Sequence, residues 1–101
     1  MPKVDDILTK ALKATKAGNL QWELVGRDSF RAQIGKIFLT ISNDDDREFV
    51  FAIYDDEGNV LERSSGYFDY TQQHLYEAAR RVALKVDDAL ASLDQQLNDL
   101  I

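Results

Sequence analysis

The side chains best equipped for chemistry are two acidic runs, Asp44-Asp45-Asp46 and Asp55-Asp56-Glu57-Gly58-Asn59, with one histidine, His74, and the pair Ser64 and Ser65. Carboxylates at this density suit a divalent cation, which prefers oxygen ligands. Asp55, Glu57 and Asn59 have the alternate spacing with which a calcium loop begins. Such a loop sets its glycine after the third ligand and a bidentate Glu six residues further on; here Gly58 precedes Asn59 and position 64 is Ser64. The two runs cannot pool their ligands either, because they cap opposite ends of a strand from Glu48 to Asp55, roughly 25 Å apart at strand rise. Turn formation alone calls for these residue types, so no metal and no cofactor is expected. His74 as a general base would need a nucleophile or substrate within hydrogen-bond reach and a group to orient it. Asp69 and Tyr70 lie one turn or more earlier, and Ser64 and Ser65 share a loop with Gly66. Nothing resembles a nucleophile elbow, a phosphate loop or a dinucleotide fingerprint. No catalytic residue is expected, and the chain reads as a non-enzyme.

Aromatic residues are the other candidates. Tyr67, Phe68, Tyr70 and Tyr76 lead into the last helical stretch, where they suit a staple that fixes the helix's entry angle; tyrosines are also favoured at interfaces. Trp22 follows strand alternation and reads as core.

The elements that must position these residues are legible in the apolar pattern. Helical spacing of Val4, Ile7, Leu8, Ala11 and Leu12 predicts a helix from about Lys3 to Ala17. Pro2 suits its first turn and Gly18-Asn19 its left-handed stop. Period-two runs follow: Leu20, Trp22, Leu24; Phe30, Ala32, Ile34; Ile37, Leu39, Ile41; Phe49, Phe51, Ile53. Their parity flips at Gly35. A two-residue type II′ hairpin at Gly35-Lys36 accounts for the flip and pairs Ile34 with Ile37, Ala32 with Leu39 and Phe30 with Ile41; one long strand with a bulge at Gly35 is the alternative. Asp55 to Asn59 reads as a type I turn with a left-handed glycine, setting Ile53 against Leu61 and Tyr54 against Val60. Ser42 to Arg47 reads as a polar connection. Asp69-x-x-Gln72, or Thr71, can cap the last element. Leu75, Ala79, Val82, Val86, Leu90, Leu93, Leu97 and Leu100 then recur at helical spacing with no glycine or proline from Thr71 to Ile101. The expected fold is α+β: an antiparallel four- to five-stranded meander, covered on one face by an N-terminal and a long C-terminal helix, as a single domain over residues 1–101. The covered face would carry Trp22, Ile34, Leu39, Phe51 and Ile53.

Bulk composition narrows the classes. A chain of 101 residues, 45 % hydrophobic, can build one core of its own. It has no cysteine, which excludes disulfides and thiolate-bound metals and fits a reducing, cytoplasmic setting. No stretch approaches the roughly 18 apolar residues of a membrane span, and charge at Lys3, Asp5 and Asp6 breaks the pattern of a signal peptide. With 18 acidic and 12 basic side chains the net charge is −6, which opposes binding to a phosphate backbone; neither nucleic acid nor membrane is expected as a partner. Lys3, Lys10, Lys13 and Lys16 gather on the first helix.

Two excesses of apolar surface remain after the fold is accounted for. On the open face of the sheet, where Gln21, Glu23, Arg31, Gln33 and Lys36 lie, Phe38, Val50, Ala52, Tyr54 and Val60 are grouped on the later strands, which suits a contact patch. The last helix is also too long: about thirty residues span roughly 45 Å, whereas a domain of this size is about 33 Å across. Leu93, Leu97, Leu100 and Ile101 would overhang the sheet, the main reason to expect a homodimer.

Gln21-Trp22-Glu23-Leu24, the stretch from Phe30 to Lys36 and the stretch from Val50 to Val60 together resemble a group of small bacterial α-β(4-5)-α domains of unknown function. These share a leading helix, a Trp-containing first strand, a glycine hairpin, an Asp-rich turn and a closing helix. The resemblance covers most of the chain and implies a bacterial source and no particular activity. The chain is also similar to the acidic, dimeric secretion chaperones, which set helices against a twisted antiparallel sheet, though it lacks their helix between the third and fourth strands.

The expectation is a non-enzymatic protein-interaction module of regulatory, chaperone-like or inhibitor/immunity type, acting as a homodimer. Phe38, Val50, Tyr54 and Val60 on the sheet and Leu93, Leu97 and Leu100 on the last helix would form its interfaces, and its acidic surface would favour a basic protein partner. The alternative is a small-molecule sensor with a pocket between helices and sheet near Trp22 and Tyr70.

Overall fold

The computed structural model describes residues 3–45, 48–67 and 70–101. The chain forms a helix, a five-stranded antiparallel sheet and two closing helices: α1 (Val4–Lys16), β1 (Glu23–Gly26), β2 (Ser29–Ile34), β3 (Ile37–Asp45), β4 (Glu48–Tyr54), β5 (Val60–Tyr67), α2 (Tyr70–Ala83) and α3 (Val86–Leu100). The strands pair in sequence order as a meander. The α+β class is as the apolar pattern implies.

α1 is capped at Lys3, whose backbone N–H donates to Asp6 Oδ2 at 3.0 Å. It ends where Gly18 takes φ 79, a conformation that costs glycine little. Its buried face, Leu8 and Ala11, joins Leu75, Tyr76 and Ala79 of α2 over Phe30, Ala32, Leu39, Ile41, Phe49 and Phe51 of the sheet. Trp22 is buried among them. Its indole Nε1–H donates to Thr15 Oγ1 at 2.9 Å, and the Thr15 hydroxyl donates in turn to the Ala11 carbonyl at 2.7 Å. Thr15→Val would keep the shape and orphan the indole N–H. Leaving a buried donor unmade costs about 1–3 kcal/mol, so urea unfolding followed by tryptophan fluorescence should show a loss of that size, restored by Thr15→Ser.

The hairpin at Gly35 has the expected register: Ile34 faces Ile37, Ala32 faces Leu39 and Phe30 faces Ile41. Gly35 has φ 61 while Lys36 is not left-handed, the pattern of a type II′ turn, so the bulge alternative falls. At the second turn Gly58 N donates to the Asp55 carbonyl at 3.3 Å and Gly58 has φ 87, as a type I turn with a left-handed glycine requires. Tyr54 faces Val60 as expected. Ile53, however, faces Glu62 and not Leu61, because the ladder is irregular between Ile53 and Tyr54 and absorbs one residue.

Four expectations need correction. The first strand begins at Glu23, so Leu20 and Trp22 are buried ahead of it, while Leu24 on this edge strand is 54 % exposed. Ser42, Asn43 and Asp45 belong to β3, since pairing with β4 continues to Asp45↔Glu48; Asp46 and Arg47 lie outside the described residues. Ser64, Ser65 and Gly66 belong to β5, paired along β4, and not to a loop. Finally, the long C-terminal helix is two helices. Lys85 takes φ 53, ψ 46 between them, a left-handed conformation that costs a side-chain-bearing residue about 1–2 kcal/mol. Arg81 Nη1 bonds to Asp87 Oδ1 across the break at 2.9 Å.

The break separates two kinds of helix. α2 buries Gln72, Leu75, Tyr76 and Ala79, whereas α3 buries no residue. The molecule is accordingly elongated, 55 × 29 × 23 Å.

Candidate functional site

The acidic turn is a structural device. Asp55 Oδ1 accepts from the backbone N–H of Glu57 and of Asn59, each at 2.9 Å, and Oδ2 accepts from Asn59 Nδ2 at 3.0 Å. The Asn59 side-chain bond, followed by the Asn59 backbone bond, holds the Asp55 carboxyl below its ordinary value. A carboxyl with a lowered folded pKa stabilises the fold above its unfolded pKa, and that stabilisation disappears as pH falls through the folded pKa. Asp55→Ala is therefore expected to be less stable than the parent at neutral pH, with the difference shrinking as pH falls through the lowered folded pKa, in paired urea titrations. Among the described residues no group of three or more His, Cys, Asp or Glu side chains could hold a metal ion.

His74 is exposed on α2 and lines a groove of about 340 Å³ with Lys16, Glu77, Arg81 and Asp87. Ser64 accepts a hydrogen bond from Gln72 Nε2 at 2.9 Å, tying β5 to the one buried residue in the first turn of α2. The capping pair for α2 rests on Asp69, which lies outside the described residues, as does Phe68. Tyr70 is 73 % exposed and does not staple the helix. Tyr76 is the aromatic that enters the core: its ring meets Phe30 at 5.5 Å and Phe49 at 5.4 Å between centroids. Its hydroxyl donates to Asp28 Oδ1 at 3.4 Å. Burial, then the Asp28 charge, raises the pKa of that hydroxyl. No pattern along the chain marks this pair, since Asp28 and Tyr76 are far apart in it. Trp22 and Tyr70, the sites of the sensor alternative, stand in opposite environments, one 5 % and the other 73 % exposed.

The open face of the sheet brings three of its four predicted contact residues into one cross-strand row: Phe38 faces Tyr54, and Tyr54 faces Val60. Phe38 and Tyr54 are half-buried, and Val60 is 55 % exposed. Arg31 covers part of the row, its guanidinium 5.2 Å from the Phe38 ring centroid, and its Nε donates to Glu23 Oε1 at 2.9 Å. Beside them is a groove of about 450 Å³ lined by Val25, Phe38, Tyr54 and Asp55 among others. Val50 is the exception. It is only 6 % exposed, on a strand paired on both sides between Ser42 and Ser65, so it has little surface to offer a partner.

α3 is the least satisfied element. Val86, Leu90, Leu93, Leu97 and Leu100 recur at spacings of four and three, which aligns them in one stripe. Leu90 is 54 % exposed, Leu93 52 %, Leu97 55 % and Leu100 81 %. The remaining face carries Asp87, Asp88, Asp94 and Asp99 and no basic residue.

A second groove, of about 360 Å³, lies between α1 and the end of the sheet: buried Ala11, Leu20 and Leu39 form its floor, half-buried Ile7 and Ala14 and exposed Ile34 its apolar rim, and Lys10 its charged wall residue. Ile34 was expected beneath the helices and sits on the correct face, opposite Ile37. It is nonetheless 53 % exposed, because it ends β2 at the turn, where the helices do not close over it.

No helix among the described residues is long and apolar enough to cross a membrane. Comparison of the chain with protein-family models, with curated proteins and with solved structures found no match, so what can be said of its kind is that it is a small α+β domain with a five-stranded meander.

Proposed function

We propose that this chain is a non-enzymatic protein-interaction module that acts as a homodimer, with α3 as its dimerising element. The observation that carries the reading is the apolar stripe of α3: a helix of 15 residues that buries none of them leaves Leu90, Leu93, Leu97 and Leu100 in water. Isolated helices of this length are marginal in water and depend on packing of their apolar face. A contact made by a second chain would supply that packing. The Phe38–Tyr54–Val60 row is the surface left for a different protein partner, and the net charge of −6 favours a basic one.

Light scattering coupled to gel filtration tests the dimer. At high micromolar concentration the expected mass is twice the 11.5 kDa of one chain; a mass of one chain there would end the reading.

A further inference from the structure

We infer that α3 of one copy seats in the groove between α1 and the β2–β3 end of a second copy, and the reverse, so that the dimer is built by reciprocal exchange of the C-terminal helix. The inference rests on the homodimer reading and names the surface that receives the helix.

Both halves of the contact are present, and unmet, in one chain. The donor is the stripe from Leu90 to Leu100. The acceptor is the groove whose open apolar rim is Ile7, Ala14 and Ile34, above a floor of buried Ala11, Leu20 and Leu39. Their lengths agree: Ile7 and Ala14 along α1 and Leu90 and Leu97 along α3 are each seven positions apart, about 10.5 Å of helix axis. Groove-binding helices are read through anchors at this periodicity.

Charge selects this occupant over the simplest rival, α3 against α3. Every charge on α3 is an aspartate, so pairing two such helices sets acid against acid. Asp94, four residues after Leu90 and three before Leu97, flanks the stripe and would meet its own kind in an antiparallel pair. The groove offers the opposite sign. Lys10 is in its wall, and Lys36 stands in the turn that follows Ile34. Asp5 and Asp6 occupy the far, N-terminal end of α1, which favours placing the acidic helix over the C-terminal half.

Symmetry completes the argument. If each copy gives a helix and receives one, the same contact forms twice and closes around a two-fold axis. Two small helix-in-groove contacts then contribute jointly toward the roughly 800 Å² per partner that a stable interface buries.

The chain has no cysteine, so an introduced pair reports alone. Ala14→Cys with Leu97→Cys in the full chain, oxidised and mapped by peptide mass, should give a covalent dimer joined 14 to 97. A dimer joined only 97 to 97 would overturn the exchange and leave the homodimer standing. A 14-to-97 link within a single chain would show α3 folded back on its own groove and overturn the exchange. No link at all would overturn the exchange, and a single-chain mass by light scattering would overturn the homodimer as well. Lys10→Glu, at an exposed position, should weaken the dimer by about tenfold or more by opposing Asp94 and its neighbours. Adding Asp94→Lys should recover most of that loss, and a Lys10→Glu dimer as tight as the parent would count against the exchange.

Discussion

Phe51→Ala should destabilise the domain by about 3–5 kcal/mol, the range for removing a buried aromatic side chain without collapse of the site around it. Phe51 is fully buried in the middle of β4, between Ile41 of β3 and Ser64 of β5. It faces the layer in which Leu8, Leu75 and Ala79 close the core. The cavity would be bounded by paired strands on both sides, which hold their spacing by backbone hydrogen bonds and cannot move inward to fill it. Against a total stability of about 5–15 kcal/mol this is a large fraction. With a urea m-value of about 1–3 kcal/mol/M, the midpoint should fall by about 1 M or more. Val60→Ala is the comparison. Val60 is 55 % exposed on the open face, so truncation removes little from a packed environment, and its midpoint should move by a few tenths of a kcal/mol at most. Equal shifts for the two variants would mean that the sheet is not packed in the sense described.

The contrast between these positions shows which structural information a sequence carries. Alternation fixes the face of a residue because successive strand side chains point oppositely. The flip of parity at Gly35 was therefore enough to give the register of β2 on β3. Alternation does not say how far a covering helix reaches. Ile34 has the parity of a core residue and lies on the core face, yet it is 53 % exposed because it sits at the sheet's end. Val50 has the opposite parity and is 6 % exposed, on a strand paired on both sides. Neither outcome is local, and no pattern along the chain encodes it. Lys85 is a harder case. The apolar period passes unbroken from Val82 to Val86, and no glycine or proline marks the site. The left-handed residue that separates α2 from α3 is a backbone choice of about 1–2 kcal/mol, and the Arg81–Asp87 bond that spans it forms only once the break is made. The overhanging leucines were legible from arithmetic on helix length. That the chain leaves them without a partner is a property of the tertiary fold.

Leu97→Asp should raise the dimer dissociation constant by about two orders of magnitude or more while leaving the monomer's stability unchanged. Leu97 lies centrally among Leu90, Leu93 and Leu100, and a carboxylate there would be taken out of water with aspartates, not lysines, as its neighbours on the same helix. An unpaired charge buried at a contact costs about 3–5 kcal/mol, and each 1.4 kcal/mol is about tenfold in affinity. Within one chain the same substitution removes no buried contact, since Leu97 is 55 % exposed and α3 buries nothing. Surface changes of that kind stay within about 0.5 kcal/mol. The two readings separate by concentration. Where the parent is dimeric, association adds to its apparent stability and the variant should unfold earlier; at dilution, where both are single chains, their urea midpoints should coincide. Val60→Asp, which adds a carboxylate to the open sheet face, should leave the mass doubled. If Val60→Asp gave the single-chain mass and Leu97→Asp did not, the dimer would lie on the Phe38–Tyr54–Val60 row, and the stripe of α3 would be left for a partner other than this chain.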